Sequence, residues 1–218
     1  MMNATRKSFF LASLLLAASL CQSSIAAAGV YEELRSAVEN DHTGDIAKLL
    51  ARGADPNTPD EQGNTLLMIA VRHKNTPLVD LLINAGAKLN LRNRYGETAI
   101  MLASYNGLGD IVEKLYVKGA EINHKGWNPL LYAAAGGHAK IIQLLLDGGV
   151  RINSTSDNGT TALMMAARGN HPEAVKVLLK NGADPNIRNE GGGTALQWAL
   201  AKNREEVAEL LKSSGAKE

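Results

Sequence analysis

Glycine recurs through this chain at a fixed spacing. Gly53, Gly86, Gly119, Gly149, Gly182 and Gly215 follow one another at intervals of 33, 33, 30, 33 and 33 residues. Each opens a related tetrapeptide, from Gly53-Ala54-Asp55-Pro56 to Gly215-Ala216-Lys217-Glu218, and five of the six are followed by Asn (Asn57, Asn90, Asn123, Asn153, Asn186). A second series, Gly63, Gly96, Gly126, Gly159 and Gly192, runs in phase with the first. A period of about 33 residues is a structural repeat. One such unit cannot bury its own apolar face, so the units must stack into a solenoid.

The physics inside one period is readable. Each member of the second glycine series leads into Thr or Asn and then an apolar run, such as Thr161-Ala162-Leu163-Met164 or Asn128-Pro129-Leu130-Leu131. Thr and Asn accept hydrogen bonds from unpaired helical N–H groups, which makes them N-caps. Pro129 sits where a first helical turn tolerates proline. The run stops at Asp41, Lys74, Gly107, Gly137, Asn170 and Asn203. Gly, Asn and Asp tolerate the left-handed backbone that ends a helix; Lys74 is the outlier. A second apolar helix follows and ends at the Gly-Ala pair. The turn-forming stretch from there to the next helix reads as a hairpin-like loop. The leucines Leu49, Leu82, Leu115, Leu145, Leu178 and Leu211 share one place in the period and are the expected core.

The Gly-x-Thr-Ala-Leu starts, the Ala-Ala pairs, Gly137-His138 and the Leu-Leu-x-x-Gly-Ala-Asp-x-Asn endings resemble the ankyrin repeat family from about Tyr31 to Glu218. The resemblance implies an all-α solenoid of six stacked helix pairs joined by hairpin-like loops. The repeats would run over about 31–59, 60–92, 93–124, 125–155, 156–188 and 189–218. The family's histidine after Leu is replaced here by Met68, Met101, Leu131, Met164 and Gln197. The first and last units carry charged outer faces (Glu32, Glu33, Arg35, Glu39; Glu205, Glu206, Glu209), as capping repeats do.

The start of the chain reads as an address. Arg6 and Lys7 precede an apolar run from Phe9 to Leu20, too short for a bilayer-spanning helix of ~20 residues. Ala26 and Ala28 then form an A-x-A ending. This is the pattern of a secretory signal peptide over 1–28, leaving a repeat domain over 29–218. Cleavage there removes Arg6 and Lys7 and no acid, so the net charge of +1 becomes −1. Lipidation at Cys21 is disfavoured because the bulky Leu20 precedes it, and an uncleaved anchor is disfavoured by length. The expected address is the periplasm, with no stable membrane insertion after cleavage. Cys21 is the only cysteine, so the mature chain would carry no thiol.

Near-neutral charge argues against nucleic-acid binding through a basic surface. His42, His138 and His171 occupy one place in successive repeats, which spaces them along the solenoid, so they read as structural. His73 falls at an inner-helix end and His124 at a loop tip. No metal-ligand spacing, cofactor motif or nucleophile–base pairing stands out, so no cofactor, metal or enzyme activity is expected. Met68, Met101, Met164 and Met165 read as core filler. Asn153-Ser154-Thr155 and Asn158-Gly159-Thr160 match glycosylation acceptors.

The resemblance implies a protein partner, bound by loop tips and by the concave inner face of the first helices. The matching positions include Arg72, His73, Arg94, Tyr95, Glu97, Tyr105, Asn106, His124, Lys125, Trp127 and Arg168. Aromatics are only 4% of the chain, so Tyr95, Tyr105 and Trp127 on neighbouring repeats stand out as an anchor. The other reading has Trp127 folding over its own shortened loop. The single 30-residue step removes three residues between Asn123 and Trp127 and predicts a notch in the row of tips, floored by Trp127. Tyr132 and Trp198 share the place of Ile69, Leu102 and Met165 and read as half-buried packing. The expected function is that of a monomeric, non-enzymatic periplasmic scaffold or accessory protein. The alternative is an inhibitor or immunity protein that blocks a toxin or enzyme there.

Overall fold

The computed structural model describes residues 29–217 apart from Tyr31 and Asp41. The expected signal peptide at 1–28 lies outside the described residues, as does the first member of the helix-stop series, Asp41. Helical backbone covers 32–39 and is followed by α1 (Thr43–Ala51). Five helix pairs then succeed one another: α2 (Leu66–Arg72) with α3 (Thr76–Asn84), α4 (Ala99–Tyr105) with α5 (Gly109–Val117), and α6 (Pro129–Ala135) with α7 (Ala139–Asp147). The last two are α8 (Ala162–Gly169) with α9 (Pro172–Lys180), and α10 (Ala195–Leu200) with α11 (Glu205–Ser213). The first helices α2, α4, α6, α8 and α10 pack side by side as one inner row. The second helices form an outer row against it. Among the described residues β-structure is limited to one isolated bridge, Thr155 with Thr161.

The helix starts behave as the sequence predicts, with one exception. Thr65 accepts from the Met68 N–H, Asn128 from Leu130 and Leu131, and Thr161 from Met164. Thr194 accepts from Gln197, whose own Oε1 accepts the Thr194 N–H at 3.0 Å. That closes a capping box at one of the places where the family's histidine is missing. Thr98 is the exception: its side chain makes no cap bond, and its buried Oγ1 has no partner among the described residues.

The stops also follow the pattern. Lys74, Gly107, Gly137, Asn170 and Asn203 all have φ between +53° and +75°. Lys74 therefore occupies left-handed backbone that costs an L-residue energy. Beside this series, His138 Nε2 donates to the Tyr105 carbonyl at 2.8 Å and His171 Nε2 to the Ala135 carbonyl at 3.1 Å. A carbonyl only accepts, so each Nε2 carries the proton. The imidazoles lie so close to Gly107 and Gly137 that a Cβ at either would meet a ring atom at 2.6 Å or less. The histidines are thus staples between consecutive repeats, as expected of structural residues.

All six leucines of the core series are buried, five of them completely. The end units keep their charged faces outward. Val38 and Leu34 are buried beneath exposed Glu32, Glu33 and Glu39, and Val207 and Leu211 beneath exposed Glu205, Glu206 and Glu209.

The five asparagines after the Gly-Ala pairs do more than turn the chain. Asn57 Oδ1 accepts the Lys88 N–H, Asn90 that of Glu121, Asn123 that of Arg151, Asn153 that of Asp184 and Asn186 that of Lys217, all at 2.7–3.0 Å. Each bond ties one repeat to the same place in the next. Asn153, one of the two glycosylation candidates, is committed to this ladder.

Candidate partner-binding site

The loops between outer and inner helices project as fingers, and what closes them decides the shape of the site. In four fingers the tip is pinned by a backbone bond across it. These are Asp60 N–H to Asn64 O, Asn93 to Glu97, Ser156 to Thr160 and Asn189 to Gly193, at 2.9–3.0 Å. In each, the first residue's side chain also accepts an N–H from further round the tip, as Asn93 Oδ1 does from Tyr95 and Glu97. Neighbouring tips then bond to one another. Arg94 N–H donates to Gln62 O and Glu190 N–H to Asn158 O, both at 3.0 Å. Gly63 and Gly159 admit this approach, since a Cβ there would meet the next finger's backbone at 3.1 Å.

The short finger at 123–128 has no such closure among the described residues. In the full fingers the ladder asparagine and the tip-closing residue are three apart: Asn57 and Asp60, Asn90 and Asn93, Asn153 and Ser156, Asn186 and Asn189. The three missing residues merge both places into Asn123, and the ladder bond to Arg151 takes its Oδ1. A hollow of about 410 Å³ lies beside this finger, lined by His124, Lys125, Gly126, Arg151 and Asn153 through Thr155. Trp127 does not line it, contrary to expectation.

The same deletion corrects the position of His124. Counted back from Gly126 it falls at a tip, with exposed Glu61, Arg94, Asp157 and Glu190. Counted forward from Asn123 it falls at a finger base, with half-buried Thr58, Leu91, Ser154 and Ile187. The structure places it at the base, with its side chain only 6% exposed and Nδ1 3.3 Å from Glu121 Oε2. Burial, reinforced by the positive charge of Arg92, lowers its pKa, and Glu121 opposes this only in part. Its Nε2 has no partner among the described residues.

Trp127 turns to the inner row instead. Its ring meets Tyr132 of α6 edge-to-face, with centroids 5.6 Å apart and planes at 69°. Tyr132 in turn meets Tyr105 of α4 at 6.3 Å and 84°. Edge-to-face contact sets the positive rim of one ring against the negative face of another. Tyr132 is the hub, and its hydroxyl donates to Glu97 Oε1 at 3.1 Å. Burial first, then the Glu97 carboxylate, raises the Tyr132 phenol pKa well above its usual value, so it stays a donor. Glu97 Oε2 accepts from Asn93 Nδ2, which also donates to Asn64. Glu97 is therefore held between two internal donors.

Of the residues predicted from sequence, the structure joins Glu97, Tyr105 and Trp127 through Tyr132. Tyr95 is exposed, at 76%, but makes no ring contact among the described residues. Asn106 is exposed and turns its amide back to the Leu102 carbonyl. Arg72, His73, Arg94 and Lys125 are exposed along the inner-helix ends and tips. Arg168 pairs with a residue left out of the prediction: its guanidinium lies 5.8 Å from the Trp198 ring centroid. With Ala201 and Lys202 these two line a hollow of about 250 Å³. Tyr132 and Trp198 were legible only as aromatics in an otherwise aliphatic, half-buried series.

Among the described residues no group of three His, Cys, Asp or Glu side chains could hold a metal ion. Nor is any described helix long and apolar enough to cross a membrane. Compared with known families, the chain matches the model for ankyrin repeats in three copies, over residues 34–126, 100–189 and 130–218. No curated protein matches it.

Proposed function

The chain belongs to the ankyrin repeat family, and from that premise we propose that it is an exported, six-repeat, non-enzymatic binding module serving a periplasmic protein as scaffold or accessory subunit. Ankyrin repeats are general protein–protein interaction modules. The observation that carries the proposal is the Trp127–Tyr132–Tyr105 row. It concentrates scarce aromatics on the inner face, and Tyr105 leaves half its surface (52%) open. Large rings held by neighbours bury area on binding at small entropic cost. Export rests on the basic, apolar and A-x-A pattern of residues 6–28.

The test is a crosslinking capture from native periplasm with C-terminally tagged protein, beside a Tyr95→Ala/Tyr105→Ala/Trp127→Ala variant. One partner captured by the parent and lost by the folded variant supports the reading. Equal capture by both removes the aromatic row from the interface. Recovery of the protein in the cytoplasmic fraction, with residues 1–28 intact, removes the export. If the captured partner is an enzyme silenced on binding, the role is inhibition rather than scaffolding.

A further inference from the structure

Charge is divided between the two helix rows. None of the inner helices α2, α4, α6, α8 and α10 contains an Asp or Glu. Every outer helix contains at least one, from Asp45 in α1 to Glu205 in α11. The inner row instead presents exposed Arg72 and Arg168, with exposed Lys202 just after α10. The carboxylate beside the Tyr105–Tyr132 contact, Glu97, already accepts from Tyr132 and Asn93. From α4 to α10 the inner face is thus aromatic and cationic; carboxylates stand on the outer row, on fingertips such as Asp157 and Glu190, and on the first unit's segment 32–39, where Glu32, Glu33 and Glu39 are exposed.

We infer that the occupant of the inner face is an extended acidic segment of a partner protein, lying from the Tyr105–Tyr132–Trp127 row to the Arg168–Trp198–Lys202 hollow. The inference rests on the reading of this face as the binding face and adds the partner's chemistry. Guanidinium and ammonium groups without local counter-charges attract carboxylates and repel basic segments. Arg168, fixed over the Trp198 ring, offers its fork to a carboxylate beside an apolar wall. Three inner-helix steps of ~8–10 Å separate α4 from α10. An extended chain rising ~3.3 Å per residue covers that span with roughly eight residues. The segment therefore needs aromatic or aliphatic residues at one end and a carboxylate about eight positions away.

The experiment measures binding of the purified protein to three sets of immobilised peptides of about twelve residues. The sets share the same apolar positions and are otherwise acidic, uncharged or basic. Single-stranded DNA and a second copy of the chain serve as further probes. Two double variants are compared: Arg168→Glu/Lys202→Glu on the inner face, and Lys140→Glu/Lys180→Glu on the outer helices, where both lysines are exposed. The expected result is preference for the acidic set by about tenfold or more, lost in the inner-face variant and retained in the outer-face one. Equal binding to the acidic and uncharged sets overturns the inference, as does equal loss in both variants. Stronger binding to DNA, or self-association that masks the inner face, also overturns it. If the aromatic variant still loses its captured partner while the acidic preference is absent, only the partner's charge is wrong. If neither effect is seen, the binding face itself is wrong.

Discussion

Asn123 Oδ1 accepts the Arg151 N–H at 3.0 Å while its Nδ2 donates to the Gly149 carbonyl at 3.2 Å. One side chain therefore ties the turn after Gly119-Ala120 to the Gly149-Val150 turn and is unavailable to close the finger that follows it. The open finger and its hollow trace to this double demand. Inserting Leu-Arg-Asn after Asn123, the residues that follow Asn90, separates the two places again and puts the new Asn at the closing position. The expected result is a finger closed like that at 93–97, with the tip amides newly protected in hydrogen exchange. An insertion that leaves those amides exchanging as before would show that the deletion is not the cause.

Removing the ladder bond has a cost of its own. Asn90 has the same role in a full-length finger, where it accepts from Glu121 at 2.9 Å. Asn90→Ala should destabilise by about 0.5–1.5 kcal/mol, the net value of one such bond. For a domain of this size that lowers Tm by roughly 2–4 °C per kcal/mol, read by thermal melting. Asn153→Ala should fall in the same range, because it loses the equivalent bond to Asp184.

The glycine period placed the helices, their caps and their stops, because each depends on residues close in sequence. It also marked the five ladder asparagines, but not their partners, which lie 28–31 residues away and meet only once repeats stack. Tyr132 was missed as the hub for the same reason: its two ring contacts and its Glu97 bond all reach outside its own helix. His124 was misplaced because a deletion gives a residue two possible alignments, and only burial decides between them.

Lys74 holds φ +58° at a place where Gly107 and Gly137 stand in later repeats. Lys74→Gly removes the strain on a β-carbon in left-handed backbone and loses only an exposed side chain. The expected gain is about 0.5–1 kcal/mol, the left-handed penalty less the extra chain entropy of glycine. Urea unfolding should show a higher midpoint at unchanged slope. A lower midpoint would mean that the Lys74 side chain stabilises the turn.

His124 gives stability a pH dependence of known sign. Its folded pKa lies below the ordinary value of 6.5, chiefly through burial. The unfolded chain therefore binds the proton more readily, and stability rises with pH across that interval. The contribution is complete above about pH 6.5 and is lost as pH falls through the lowered folded pKa. His124→Gln should flatten this part of the urea-derived stability curve between pH 7.5 and 5. The other histidines stay in both proteins, so the difference between the curves isolates His124.

Thr98 and Thr161 begin equivalent inner helices but differ in what their hydroxyls do. Thr161 Oγ1 accepts the Met164 N–H at 3.3 Å, whereas Thr98 Oγ1 is buried with no partner among the described residues. Replacing Thr161 by Val should remove a cap at a cost of about 1 kcal/mol. Replacing Thr98 by Val keeps the shape and removes an unsatisfied hydroxyl, whose burial is itself unfavourable. Thr98→Val should therefore leave Tm unchanged or raise it. Equal losses at both positions would mean that the Thr98 hydroxyl finds a cap bond or an ordered water in solution, which backbone hydrogen exchange at Met101 would distinguish.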